Sequence, residues 1–214
     1  MSILDKVKGF IGGNEIQAII NDFNDTIKAE NVLLKESKKR IASLMAYGKV
    51  ETPTLRDAFE SLSENFENID SSREEKIDQM QEKVIKPLNI LLKDYKVLSD
   101  EVKESEKAQK DLDKAKSKLS KLKGKPKEKL KPGQLENAET AVENAEKTAE
   151  KEESEAKEAT RVFNTKKVET LKTVLDSIIS IEKDFHDKVI GLMNTAKEKT
   201  DAIDLDERPA EVPE

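Results

Sequence analysis

The chain has 214 residues; 39% are charged, 4% are aromatic, and there is no Cys and no Trp. That balance excludes a thick globular core and points to long helices or coiled coil. It also excludes disulfide and thiol chemistry, and no apolar run approaches the roughly 20 residues that cross a bilayer. The N-terminus lacks the continuous apolar stretch of a secretory signal, so a cytoplasmic protein is expected.

Net charge is −6 but strongly segregated along the chain. Residues 51–82 hold ten acids against three bases. Residues 83–131 hold sixteen Lys against eight acids, and residues 136–158 hold nine Glu against three Lys. Such asymmetry implies one surface drawn to something anionic.

Residues 1–13 form the first element. Ile3, Leu4, Val7, Phe10 and Ile11 fall on one helical face, with Asp5, Lys6 and Lys8 beside it. Gly9, Gly12 and Gly13 make a hinge. Ten residues are too few for a helix that stands alone in water, so this one needs a surface. Insertion at a bilayer interface fits five apolar side chains flanked by lysines; docking on the chain's own core is the alternative.

The first long helix is expected from about Asn14, as N-cap, to Tyr47, with Gly48 as its stop. Ile16, Ile20, Phe23, Ile27, Leu34, Ile41 and Leu44 follow a 4,3 rhythm, with Glu30 and Ser37 at the two missing positions. The second helix starts with Thr52 as cap and Pro53 at the first helical position. Leu55, Phe59, Leu62, Phe66 and Ile69 mark its first apolar face, and Val84, Leu88, Leu91, Tyr95, Leu98 and Val102 continue it. Leu112, Ala115, Leu119 and Leu122 carry the pattern on. Pro87 lies inside this run, where it removes one hydrogen bond and should kink the helix without ending it.

Gly124-Lys125-Pro126 and Pro132-Gly133 bracket a turn, the tip loop 124–133. The third helix begins near Gln134 with a seam of small residues (Leu135, Ala138, Val142, Ala145, Ala149, Ala156, Ala159, Phe163). A heavier seam follows at Leu171, Leu175, Ile178, Phe185, Val189 and Leu192. This tapers the hairpin toward its tip and places the helical domain at 14–203. Residues 204–214 are acidic, carry Pro209 and Pro213, and are expected to be disordered.

Length decides between a globule and a hairpin. Residues 53–123 as helix span roughly 105 Å at 1.5 Å per residue, whereas a compact chain of this size is roughly 45 Å across. Three such helices share a narrow seam, and the large residues near Phe59, Leu91 and Ile178 exceed what one chain covers. A second copy packed antiparallel would cover them.

The catalytic inventory is thin. His186 is the single His, which with no Cys leaves no typical zinc site. No stretch ends in the GK[ST] of a phosphate loop. Carboxylate pairs are inevitable in a chain with 45 acids and read as helix-face support. No enzyme activity, cofactor or metal is expected.

The sharpest electrostatic feature is the tip, with ten Lys between Lys110 and Lys131 against three acids. Near an anionic leaflet each is worth about 1 kcal/mol. Lys86, Lys93 and Lys107 share a heptad position, as do Lys96, Lys103 and Lys110, and Arg161, Lys166, Lys167 and Lys172 could join from the third helix. Nucleic acid is disfavoured, because no Arg and no aromatic falls between Lys96 and Lys131 to read or stack bases.

Ala46-Tyr47-Gly48, Pro53-Thr54-Leu55-Arg56-Asp57-Ala58-Phe59, Ile69, Arg73 and Lys83-Val84-Ile85-Lys86-Pro87-Leu88 together resemble the BAR (Bin/amphiphysin/Rvs) superfamily. The likeness covers about residues 14–200, and helix lengths and tip position support it as much as any single residue. It implies an all-α fold of three long kinked helices forming an antiparallel coiled-coil hairpin bundle. Two copies would make a crescent-shaped homodimer with a central six-helix bundle. It further implies that lysines of the concave face and tips contact an anionic phospholipid membrane. The candidates by position are Lys93, Lys96, Lys103, Lys114, Lys116, Lys118, Lys121, Lys123, Lys125, Lys127, Lys129 and Lys131, joined by Lys6 and Lys8. Ile3, Leu4, Val7, Phe10 and Ile11 would insert as the extra helix of the N-BAR type. Such a protein senses or generates membrane curvature in trafficking or endocytosis, beside trafficking or cytoskeletal partners. The acidic stretches 51–82 and 136–158 must then face away from lipid or pair with neighbouring lysines.

Two other readings stay open. One is a coiled-coil scaffold whose lysines meet an acidic protein. The other is a polymer-forming remodeller resembling the ESCRT-III group, although that group carries its basic charge in the first hairpin of the chain.

Overall fold

The computed structural model describes residues 12–126, 128 and 130–207. Its elements are α1 (Gly13–Gly48), α2 (Pro53–Met80), a π-helical segment (Gln81–Ile85), α3 (Lys86–Lys123) and α4 (Gln134–Asp201). α2, the π segment and α3 run end to end, so the three long helices expected from the apolar rhythm are found. The candidate insertion segment (Ile3, Leu4, Lys6, Val7, Lys8, Phe10, Ile11) lies outside the described residues, as do Lys127, Lys129 and residues 208–214.

On α1 the 4,3 rhythm becomes a buried seam of Ile16, Ile20, Ile27, Leu34 and Ile41. Glu30 and Ser37, the two polar interruptions, are buried in the same seam. The helix starts one residue before the expected Asn14 cap. Gly12 takes the cap position, and its carbonyl accepts from the Ile16 N–H at 3.3 Å. Packing explains the shift: a Cβ on Gly13 would stand 2.7 Å from the Tyr95 ring, so the glycines let the chain lie against that side chain.

Thr52 and Pro53 open α2 as expected, and the Arg56 N–H donates to the Thr52 carbonyl at 2.8 Å. Thr52 makes no side-chain cap at its own helix start. The π segment ends at Lys86, whose N–H donates to the Gln81 carbonyl five residues back. It sits directly before Pro87, whose ring would otherwise press on the carbonyl of Lys83, and a widened turn gives that carbonyl room.

The described residues divide into two compact units. The first contains residues 12–17 and 89–170. There α3 and α4 pack antiparallel, with Leu91, Leu98, Val102 and Leu112 buried opposite Ala149, Ala156 and Phe163. Alanines on α4 let two backbones close on each other, while Tyr95 and Phe163 meet edge to face at 5.8 Å. A fully buried leucine such as Leu91 contributes roughly 1.5–3 kcal/mol. In the connecting loop Gly133 has φ 72°, which suits a residue without Cβ. The Lys131 N–H donates to the Gln134 side-chain oxygen at 3.1 Å, closing the start of α4.

The second unit contains residues 18–88 and 171–207. Its core joins Ile20, Ile27 and Leu34 of α1 to Ile69, Ile77 and Met80 of α2 and to Val174, Ile181 and Phe185 of α4. One residue departs from the expected seam: Leu175 is 59% exposed and Val174 is buried instead. Burial on α4 steps four residues from Phe163 to Lys167 and then in sevens to Val174 and Ile181, and Leu175 falls one position off that phase.

The start of the expected disordered tail is also different. Glu207 accepts from the Thr54 backbone N–H at 2.8 Å and from its hydroxyl at 2.6 Å. The Asp204 N–H donates to the same hydroxyl at 3.2 Å. The cap that Thr52 does not give α2 therefore comes from residue 207. Those two bonds hold the Glu207 carboxyl below the usual carboxylate range.

Candidate functional site

Counted in sevens along α3 beyond Lys86, which shares the Lys93 position but pairs with Glu82 at 2.7 Å, Lys93, Lys107, Lys114 and Lys121 share one position, Lys96, Lys103 and Lys110 share a second, and Lys118 falls on a third beside them. These positions cover an arc of about 100° on a helix with 3.5 residues per repeat turn. The buried Leu91, Leu98, Leu112, Leu88 and Val102 occupy the opposite side. The core periodicity therefore turns eight lysines outward on one face. All eight are exposed.

Few of these charges are neutralised. Lys103 pairs with Asp100 at 2.9 Å and Lys114 with Asp111 at 2.8 Å, both along the exposed helix surface. Lys93, Lys96, Lys110, Lys118 and Lys121 have no carboxylate partner among the described residues. Lys125 and Lys131 are exposed in the loop. Lys107 and Lys110, which belong to the stripe, stand outside the twelve positional candidates. Their heptad spacing was the signal that includes them.

Two candidates face elsewhere. Lys116 and Lys123 occupy the heptad position that is buried as Leu88 and Val102 earlier in the helix, and they reach across to α4. Lys116 meets Glu146 at 2.7 Å, and Lys123 meets Glu139 at 3.0 Å. They tie α3 to α4 at the surface of the hairpin. The remaining acids of 136–158 pair largely within α4, as Glu143 does with Lys147 at 2.8 Å and Glu153 with Lys157 at 2.6 Å. The acidic half of the hairpin is thus consumed locally, and the α3 stripe keeps its charge.

The suggested contribution from α4 is smaller than expected. Arg161 forms a fork to Glu158, with bonds of 2.8 and 2.6 Å. Lys166 pairs with Asp94 at 2.5 Å. Lys167 is buried, its ammonium lies 5.9 Å from the centre of the Phe163 ring, and burial pushes its pKa down. Of that group, Lys172 is exposed.

In the second unit the charges form a different device. Glu30 receives Lys76 at 2.9 Å and also Arg73, and Lys76 reaches Glu182 at 2.9 Å. Arg73 and Lys76 both stand over the Phe185 ring, at 5.1 and 4.8 Å. Burial alone would raise the Glu30 carboxyl, but hydrogen bonds and charge from Lys76 and Arg73 outweigh it and lower its pKa. His186 is 67% exposed and lies 3.7 Å from Glu182, on the outer side of this cluster.

Among the described residues no group of three or more His, Cys, Asp or Glu is placed to hold a metal ion. No described helix is long and apolar enough to cross a membrane.

The BAR domain family model matches residues 15–202. No curated protein matches the chain. Among solved structures, the amphiphysin BAR domain from Drosophila is similar at 18% identity, over 88% of this chain and 85% of that one, with a TM-score of 0.71. The N-terminal I-BAR domain of D. discoideum IBARa is similar at 14% identity, over 89% of this chain and 84% of that one, with a TM-score of 0.51. At these identities the likeness is one of fold.

Proposed function

This chain belongs to the BAR domain family, and from that premise we propose that it is a non-catalytic peripheral membrane protein that senses or generates curvature. The observation that carries this reading is the α3 stripe. Lys93, Lys96, Lys110, Lys118 and Lys121 lie on one exposed face without carboxylate partners among the described residues. An anionic phospholipid surface is the matching partner, because a row of single charges without arginine forks or aromatics suits a diffuse negative sheet. Five engaged lysines at about 1 kcal/mol each suffice for reversible attachment.

The working form is a homodimer. Leu175 and Ile179 on α4, at 59% and 66% exposed, and Val32 and Leu33 on α1, at 60% and 51%, are large apolar side chains that a second copy would cover. Residues 1–11 would then insert as an amphipathic wedge through Ile3, Leu4, Val7, Phe10 and Ile11, with Lys6 and Lys8 at the headgroups. Lys127 and Lys129 would add to the tip charge.

The test is co-sedimentation with liposomes of fixed anionic content, small against large, at low and high salt. Salt-sensitive binding that is stronger on small vesicles is expected. Absence of binding at every size would discard the reading and leave a scaffold for an acidic protein. Phe10→Glu should weaken tubulation, and unchanged tubulation would remove the wedge.

A further inference from the structure

Between α1 and α2 of the second unit lies an open groove of about 530 Å³. Ala42 and Met45 form its apolar wall, and Glu67 and Glu74 stand on its acidic rim. Lys38 approaches Glu74 at 3.9 Å and so answers only that rim. Asp70 lines the groove and is 6% exposed. Its Oδ2 is buried, and no group among the described residues donates a hydrogen bond to it.

A buried carboxylate oxygen without a donor costs stability, roughly 1–3 kcal/mol or more for a charged group. Such a group persists where a ligand completes it. One oxygen is open, so a single-point donor fits better than a guanidinium fork, and the ammonium of lysine is such a donor. The apolar wall asks for the aliphatic stem of the same side chain. Met45, 43% exposed, marks that wall as surface still to be covered. The chain itself is the richest local source of lysine, with sixteen between residues 83 and 131.

We propose that the Asp70 groove is a lysine-acceptor site completed by a second copy of this chain, whose ammonium pairs with Asp70 Oδ2. The site rests on the dimer reading above and adds to it a specific contact that one copy lacks.

The two possibilities for Asp70 predict opposite signs. If a lysine arrives from a second copy, Asp70→Asn raises the dimer dissociation constant at least tenfold in sedimentation equilibrium, and the dimer melts at lower temperature. Glu67→Gln, on the rim of the same groove, shifts the constant less than threefold. If nothing arrives, Asp70→Asn relieves an unpaired charge; the melting temperature rises and the dimer constant stays put, which overturns the proposal. Should Asp70→Asn fail to fold, carbodiimide coupling of a co-refolded mixture of unlabelled and ¹⁵N wild-type protein decides. An Asp70–Lys amide joining light to heavy peptide is expected. Coupling confined to one isotope, or none at Asp70, overturns the site. A protein that is monomeric at every concentration removes the dimer reading itself, which is a different failure.

Discussion

Glu30 and Lys76, 46 residues apart, meet at 2.9 Å inside the second unit, where both are almost fully buried. Glu30 interrupts the apolar rhythm of α1, Lys76 takes the buried position seven residues past Ile69 on α2, and the two polar positions coincide. Arg73 completes the same carboxylate, so Glu30 carries two cations. Removing the anion should therefore cost more than removing either cation. Glu30→Ala strips half-buried Arg73 of its carboxylate and leaves buried Lys76 with Glu182 alone, and is expected to lower unfolding free energy by about 3 kcal/mol, the low end for breaking a buried pair, measured by chemical denaturation. Lys76→Met should cost less, because Arg73 still pairs with Glu30 and the thioether packs on Phe185.

The same carboxylate gives a pH dependence with a definite sign. The folded-state pKa of Glu30 is lowered relative to an ordinary glutamate. Its contribution is thus fully present above the ordinary carboxylate value and is lost as pH falls through the depressed one. The stability difference between wild type and Glu30→Gln should be flat at neutral pH and shrink in acid. A difference that grows toward acid would reverse the assignment.

Lysines of the stripe and lysines of the hairpin should separate by phenotype. Lys110→Ala and Lys118→Ala are each expected to weaken anionic-liposome binding about fivefold at low salt, from about 1 kcal/mol per lysine. Their melting temperatures should stay within about a degree. Lys116→Ala and Lys123→Ala lose exposed cross-helix pairs with Glu146 and Glu139, worth at most about 1 kcal/mol each, and should weaken binding less. Equal losses for all four would mean that diffuse charge, and no particular face, sets the affinity.

Gly13 offers a packing test. A Cβ there would stand 2.7 Å from two atoms of the Tyr95 ring. Gly13→Val should displace Tyr95 and destabilise the protein by about 1–3 kcal/mol. The double variant Gly13→Val/Tyr95→Ala should show less than the sum, since the ring that Val meets is gone.

Much of the architecture was legible because coiled-coil burial is periodic. Ile16, Ile20, Ile27, Leu34 and Ile41 could be assigned to one seam from spacing alone, and they are buried together. Where spacing is ambiguous by one residue, it erred. Val174 and Leu175 are adjacent and equally apolar, and only the phase carried from Phe163 tells which faces in. Glu30 read as a gap because its partners, Arg73 and Lys76, come from another helix. The division of lysines was partly legible: Lys116 and Lys123 differ from the stripe in heptad position, but their acids on α4 are assigned only once the antiparallel register is known. Asn14 lost the cap position to Gly12 through contact with Tyr95, a long-range effect that no local preference encodes.

The Thr54–Glu207 contact joins residues 153 positions apart, and it carries a consequence for the order of folding. A ribosome delivers the amide and hydroxyl donors of Thr54 long before it delivers their acceptor. Until Glu207 emerges, the Thr54 amide has water as its partner. It should therefore be the last part of α2 to gain protection from hydrogen exchange in nascent chains. Chains arrested before Glu207 should exchange at the Thr54 amide as freely as at a frayed helix end, while the middle of α2 is already protected.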